Sequence, residues 1–442
     1  KLVSLLNERA ALVVNVGTNT PPQGADATVS VHAGTNLNGL VFLKVNGKSD
    51  AGTGSDMATQ LLLGHVPMLL RSNTSEVLVI GLGSGVTAGA VAAHPSLTRV
   101  DVVEISPEVR EAARFFDAHN RQVMRDPRFH LTLEDAKSFL LLTPRRYHAI
   151  ISEPSNPWMA GVAGVFSLEF YESCRDHLAP DGLMVQWVQL YEFSDAALDM
   201  VLATFKQVFP HFSLWHTEGS DILLVGSRQP LPRDLDGFAR RLREPAVTAD
   251  LERVRLGNLP LLLSHELVSP LNAPFLPAPT AALHSDYQPV LEYTAQRDFF
   301  VRKGASRFRQ VDENFSRRPT TLLGDYLQRQ PLTEADFQAF ARSYVEEQKT
   351  AVDLFASLLL HWQLVAPNAF EPLELASRFR FLNAPGELDA LRLGPRRDAL
   401  LARARENPTL LRQYGLGLMR AYTEQRSCFH APPTTELTAM LE

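Results

Sequence analysis

"EVLVIGLGSGVTAGAV", residues 76–91, decides how this chain is read. Val77 to Ile80 form an unbroken apolar run. Gly81, Gly83 and Gly85 then punctuate it, and small residues at helical spacing follow. A run that is apolar at every position belongs to a strand covered on both faces, as in a parallel sheet. Glycines at such a strand-to-helix turn let the backbone approach a ligand closely, and the helix amino end offers free N–H groups. The apolar stretch from Val77 to Ala93 is short of the ~20 residues that cross a bilayer. It is also broken by four glycines, so it reads as strand, turn and helix.

The same alternation continues on the carboxyl side. "RVDVVEI" predicts a second strand and "SPEVREAARFF" a helix, with Ser106 as N-cap and Pro107 in the first turn. "RFHLTLEDA", "YHAIISE", "LMVQWVQL", "FSLWHT" and "DILLVGS" predict further strands, with helices at "KSFLLL", "SLEFYESCRDHL" and "DAALDMVLATFKQVF". On the amino side, "DMATQLLLGHVPMLL" has helical spacing and ends at or soon after Pro67. The first 50 residues are short β-branched runs between turn residues. The expected fold class is α/β, a Rossmann-like sheet of the S-adenosylmethionine-dependent methyltransferase type. It carries a small N-terminal β domain (residues 1–56), a core domain (57–305) and an added helical C-terminal region (306–442) whose role is packing or oligomerisation.

Composition narrows the function classes. The chain has 442 residues, 45% hydrophobic and 21% charged, which suits a globular protein with ample core. A formal net charge of −6 gives no basic footprint for nucleic acid. Two cysteines, Cys174 and Cys428, are too few for a disulfide framework and fit a reducing compartment. No Cys/His spacing resembles a metal site, and the sequence around His265 lacks the second histidine of a zinc helix.

Three strand ends offer chemistry in order. The glycine turn comes first. Glu104, nineteen residues after Gly85, closes the second strand, where an acid accepts hydrogen bonds from both ribose hydroxyls; a charge at the following helix N-terminus is its plainer role. Asp135 closes the third strand and either receives an adenine amine or caps the next helix, two roles that are compatible. The third glycine of G-x-G-x-x-G falls on Val86, which favours S-adenosylmethionine or a derivative over NAD.

"VNGKSD", "GHVPMLL", "VLVIGLGSG", "VDVVEISPEVREAAR", "LEDAKSFL", "YHAIISEPSNPW", "VFSLEFYESCRDHLAPDGLMVQWVQ" and "TFKQVFPHFSLW", in this order between residues 43 and 227, resemble the spermidine synthase (polyamine aminopropyltransferase) family. "DMATQLLLGHVP" and "SEPSNPWMAGVAGVFSLEFY" resemble its bacterial members that are fused to a multi-span membrane domain. A first residue of Lys1 rather than Met fits a piece cut from such a fusion. The resemblance implies transfer of an aminopropyl group from decarboxylated S-adenosylmethionine to a small-molecule amine, with release of methylthioadenosine and no metal. It implies cofactor contacts at Gly81, Gly83, Ser84, Gly85, Glu104, Asp135, Ala136, Asp50 and Gln60. Substrate contacts fall on Asp56, Asn156, Trp158 and Glu218, and the catalytic role on Glu153. It further implies a cytoplasmic location, or the soluble part of a membrane-associated protein, and leaves a homodimer and a membrane tether open.

The acceptor side departs from the family. Ser84 stands where the family's Gly-Asp-Gly has Asp. Thr59, Gln60 and Leu61 replace Tyr-His-Glu, and "EPSNP" (153–157) replaces Asp-Ser-Ser-Asp-Pro. Carboxylates are lost at Ser84, Leu61 and Asn156, kept at Glu153 and gained at Asp50, so a neutral or zwitterionic acceptor, or one amine rather than two, suits the remaining charges better. Trp158 either walls the acceptor pocket, stacks on a cation or serves as a plain apolar lid. Methyl transfer from intact S-adenosylmethionine and a non-catalytic nucleoside sensor are the competing expectations.

Overall fold

In the computed structural model, the described residues are 3–4, 12–17, 28–33, 39–217, 221–271, 273, 283–305, 320–330, 332–336 and 338–339. The chain divides into two compact units, Lys1–Tyr326 and Leu327–Glu442. Apart from a helix at Leu322–Arg329 and a few neighbours, the region expected to be helical from 306 onward lies outside the described residues.

Five antiparallel strands in chain order make the small sheet: β1 (Val3–Ser4), β2 (Leu12–Gly17), β3 (Val29–Ala33), β4 (Val41–Val45) and β5 (Lys48–Gly52). Asn46 and Gly47, at φ 52° and 83°, form the tight turn from β4 to β5. Asn-Gly tolerates this left-handed pair, and the turn fixes Lys48 as the first residue of β5.

The large sheet contains β6 (Glu76–Ile80), β7 (Arg99–Glu104), β8 (Phe129–Leu133), β9 (Tyr147–Ser152), β10 (Leu178–Gln189), β11 (His211–His216), β12 (Asp221–Ser227) and β13 (Glu266–Val268). Its order is β13-β11-β12-β10-β9-β6-β7-β8. From β10 to β8 the pairing is parallel, while β12, β11 and β13 join antiparallel. The expected α/β class with a largely parallel sheet is what is found. β13, three residues long, went unread because so short a run has no period. β10 begins at Leu178, through the Pro180–Gly182 stretch expected to precede it, with a register break before Leu183.

Helices cover both faces. α1 (Asp56–Leu70) packs on α2 (Val86–Ala92), and Met57 to Leu70 are all buried. α3 (Pro107–Ala113) follows β7, its Ser106 N-cap accepting the Val109 N–H as expected. On the other side, α4 (Ala136–Leu142), α5 (Leu168–Asp176) and α6 (Asp195–Val208) enclose an aromatic core. There Tyr171 meets Phe205 edge-on at 5.3 Å, and Phe205 lies 5.0 Å from Phe209. Alternate strand residues Leu78, Ile80, Ile150, Met184 and Leu224 face that core. α10 (Val290–Phe300) adds Leu291 and Ala295 to it; three shorter helices, α7 (Leu235–Leu242), α8 (Pro245–Glu252) and α9 (Leu259–Leu263), precede it in the chain.

The strand order reverses between β6 and β9, whose next strands in sequence lie on opposite sides. In open α/β sheets such a reversal leaves a crevice outside the carboxyl ends of the strands. α1 and α2 approach closely there: a Cβ on Gly64 would come within 2.6 Å of Ala90 Cβ and 2.7 Å of Thr87 O. Both neighbours are fixed by helices, so Gly64→Ala is expected to lower unfolding free energy by about 1–3 kcal/mol. Denaturant unfolding checks this; unchanged stability would contradict the close packing.

Candidate active site

At the sheet reversal the glycine turn and the loop after β9 hold each other. The Glu153 N–H donates to Ile80 O at 2.9 Å, and the Gly81 N–H to Val103 O at 2.8 Å. Gly81 has φ 94°, and a Cβ there would meet Glu153 O at 2.4 Å, so only glycine fits. Gly83 and Gly85 also have positive φ; a Cβ at Gly83 would find only Ala51 Cβ, at 4.0 Å. The turn is thus tight toward β9 and open above Gly83.

Glu104 lies under this turn and is 7% exposed. Its Oε2 accepts the Leu82 N–H at 2.9 Å and its Oε1 the Ser106 N–H at 2.8 Å. Each carboxylate oxygen has a second lone pair, so two further donors can be taken. Burial pushes its pKa up, and the backbone N–H groups pull the other way. Asp135 caps α4, its Oδ1 accepting the Ser138 N–H at 2.9 Å. Ala136, beside it, is buried at the start of that helix. Ile105, 63% exposed, and Leu133, 40% exposed, flank these acids as apolar surface at the same strand ends. Neither was singled out in the sequence, although Ile105, directly after the strand-end acid Glu104, carries a usable signal.

Glu153 sits across the turn. Its Oε2 accepts from Thr87 Oγ1 at 2.5 Å. Burial pushes its pKa up to about 7; Thr87 opposes this, and the charges of Asp221 and Asp56 add to it. Asp221, at the start of β12, is likewise pushed up to about 7 by burial, with Trp187 and Thr59 opposing. Its Oδ2 accepts from Thr59 Oγ1 at 3.1 Å, and its Oδ1 is buried without a hydrogen-bond partner among the described residues. Asp56, in the first turn of α1, is raised by burial as well. Asp50 on β5 accepts from Ser155 Oγ at 2.6 Å through Oδ2, while its Oδ1 is buried with Lys48 Nζ at 3.7 Å and no hydrogen-bond partner among the described residues. Four carboxyl groups from β5, α1, β12 and the β9 loop therefore converge on one place.

The remaining expected residues are brought to the site but face the protein. Ser84 Oγ donates to Gln60 Oε1, and Gln60 Nε2 donates to Gly52 O at 2.9 Å, tying the glycine turn to the small sheet. Asn156 is 1% exposed; its Oδ1 accepts from Lys48 Nζ and its Nδ2 donates to Tyr191 Oη at 3.2 Å. Trp158 stacks on Phe299 with centroids 5.1 Å apart, and Lys48 Nζ stands 5.1 Å from its ring centre. Glu218 lies outside the described residues. Thr87, Lys48 and Tyr191 were not singled out in the sequence; only Lys48, next to Asp50 in "NGKSD", carried any signal. Among the described residues no three His, Cys, Asp or Glu side chains, these four carboxyl groups included, are placed to hold one metal ion. No described helix is long and apolar enough to cross a membrane.

Residues 56–217 match the model of the spermine/spermidine synthase domain. A polyamine aminopropyltransferase of Clostridium perfringens is 29% identical over 194 residues, covering 43% of this chain and 65% of the relative. Polyamine aminopropyltransferase 1 of Pseudomonas aeruginosa is 35% identical over 125 residues, 28% of this chain and 43% of that one. The chain thus spans 43% to 65% of the length of these curated relatives. A solved spermidine synthase in complex with the transition state analogue AdoDATO aligns with a TM-score of 0.42 at 19% identity, covering 63% of this chain and 86% of that one. Residues 56–217 are thus similar to the spermine/spermidine synthase domain and to curated polyamine aminopropyltransferases.

Proposed function

We propose that the protein transfers an aminopropyl group from decarboxylated S-adenosylmethionine to an amine and releases methylthioadenosine. The observation that carries this reading is the convergence of Glu153, Asp56, Asp50 and Asp221 beside the glycine turn. An acceptor ammonium and a sulfonium are both cations, and such a place lowers the cost of bringing them together out of water. The curated relatives named aminopropyltransferases support the same class.

On this reading the glycine turn passes beneath the nucleoside, and Glu104 accepts the two ribose hydroxyls with its remaining lone pairs. Asp135 Oδ2 takes the adenine amine, while Oδ1 keeps its capping bond. Ile105 and Leu133 cover the faces of the base. Glu153 then acts on the acceptor. The amine lone pair attacks the propyl methylene carbon and the C–S bond breaks. Its electrons return to sulfur, which leaves as the neutral thioether, and the proton shed by the amine passes to Glu153. A carboxyl group held near 7 by burial can accept that proton at neutral pH and release it afterwards. Thr87 orients the acceptor oxygen. Location and oligomeric state do not enter this reading.

Methyl transfer is the alternative, and Ser84, standing where an Asp would repel the methionine carboxylate of intact S-adenosylmethionine, is the residue that favours it. Incubation with either co-substrate and a panel of amines, followed by mass spectrometry, separates the two. Methylthioadenosine is the expected product, and S-adenosylhomocysteine would replace this reading by methylation.

Glu153→Gln is expected to cut kcat by about two orders of magnitude or more, with nucleoside affinity nearly unchanged. In the wild type, turnover should climb as pH rises through about 7, where Glu153 ionises, and the variant should lose that limb. An identical pH profile in both would remove Glu153 from the chemistry. The same substitution should also act on stability. Glu153 and Asp221 have folded pKa values raised above their unfolded ones, so their contribution is present below about 4 and lost as pH climbs through about 7. Thermal melts should therefore show Glu153→Gln a few degrees more stable than the wild type at pH 8 and equal to it near pH 4.

A further inference from the structure

Lys48 projects from the first residue of β5 into the acidic cluster, where the Asn46–Gly47 turn places it. Its Nζ stands 5.1 Å from the Trp158 ring centre and 5.9 Å from that of Tyr191. It donates to Asn156 Oδ1 and lies 3.7 Å from Asp50 Oδ1. The charges of Asp56, Asp221 and Glu192 also act on it. Two aromatic faces, an amide oxygen and a surrounding set of carboxylates are the groups that recognise a ligand ammonium. Here the protein's own side chain fills that place. Asn156, which holds Lys48, and Ser155, which holds Asp50, follow Glu153 in the same loop, so the lysine ammonium stands beside the loop that carries Glu153.

We propose that Lys48 is a specificity-determining residue: a tethered ammonium that occupies the second cation position of the acceptor site and restricts the acceptor to amines carrying a single positive charge. This inference rests on the transfer reading above for the word acceptor, though the ammonium site itself does not. A dication entering beside Lys48 would meet a fixed like charge within a few ångströms, at a place shielded from bulk water. A monocation needs only the carboxylates nearest Glu153. The side chain is about one third exposed, and burial lowers its pKa against the pull of Asp50, Glu192, Asp221 and Asp56. Asp50 Oδ1, buried without a hydrogen bond, lies where a second ligand ammonium would be received once the lysine charge is gone.

Lys48→Met keeps the apolar stem over Trp158 and removes the charge. Calorimetry with 1,4-diaminobutane and with 1-aminobutane, on protein saturated with methylthioadenosine, should show the variant gaining about tenfold or more in diamine-over-monoamine preference, the worth of one ammonium site. Lys48→Arg should retain the wild-type preference. Equal preference in wild type and Lys48→Met would overturn the proposal, as would a wild type that already binds the diamine tenfold better than the monoamine. Should Lys48→Met fail to fold by circular dichroism, Lys48→Gln serves in the same comparison. Turnover with both amines is measured in parallel. Absence of methylthioadenosine in every arm would defeat the transfer reading, whereas the calorimetric ratio decides the ammonium site by itself.

Discussion

The site depends on one steric constraint, the missing side chain of Gly81. The loop after β9 can reach the glycine turn only because nothing stands between Gly81 and Glu153 O, where a Cβ would sit at 2.4 Å. That approach lets the Glu153 N–H bond to Ile80 O and brings its carboxyl to Thr87 on α2. Gly83 then keeps the upper side of the turn open. A parallel sheet with its reversal at β6 and β9 supplies the crevice, and this contact decides which acid enters it.

Burial gives that acid its character. Carboxyl groups are ordinarily ionised well below neutral pH. Here four are gathered in partly dehydrated surroundings, and two of them, Glu153 and Asp221, are held near 7. Such an arrangement costs folding stability at neutral pH and persists where a positive guest or an internal cation offsets it. Lys48 is an internal cation of that kind, with Trp158 and Tyr191 supplying its aromatic walls. The side proposed for the nucleoside is built differently: Glu104 draws on the backbone N–H groups of Leu82 and Ser106, so its orientation is set by the chain path itself.

Much of this was legible in the sequence. The strand β6 was readable as an unbroken apolar run, and β7, β9 and the second half of β10 as mainly apolar runs broken by single polar residues. Glu104 and Asp135 were readable because a strand end fixes where a side chain goes. Ser106 and Asp135 also cap helices as their residue types require. Pairings between distant elements were not legible. Nothing local says that Thr87 will reach Glu153, that Gln60 will spend its amide on Ser84 and Gly52, or that Lys48 will stand over Trp158, 110 residues further along the chain. Asn156 shows the limit best: it was expected to contact substrate, and its amide holds Lys48 and Tyr191.

The central claim is that a nucleoside lies on the glycine turn with its thioether directed at Glu153. A crystal structure with methylthioadenosine tests it most directly. The expected result has the ribose hydroxyls within about 3 Å of the Glu104 carboxylate and the sulfur on the side of Glu153 and Asp56. A nucleoside bound elsewhere, or one whose sulfur points away from the four carboxyl groups, would contradict the account.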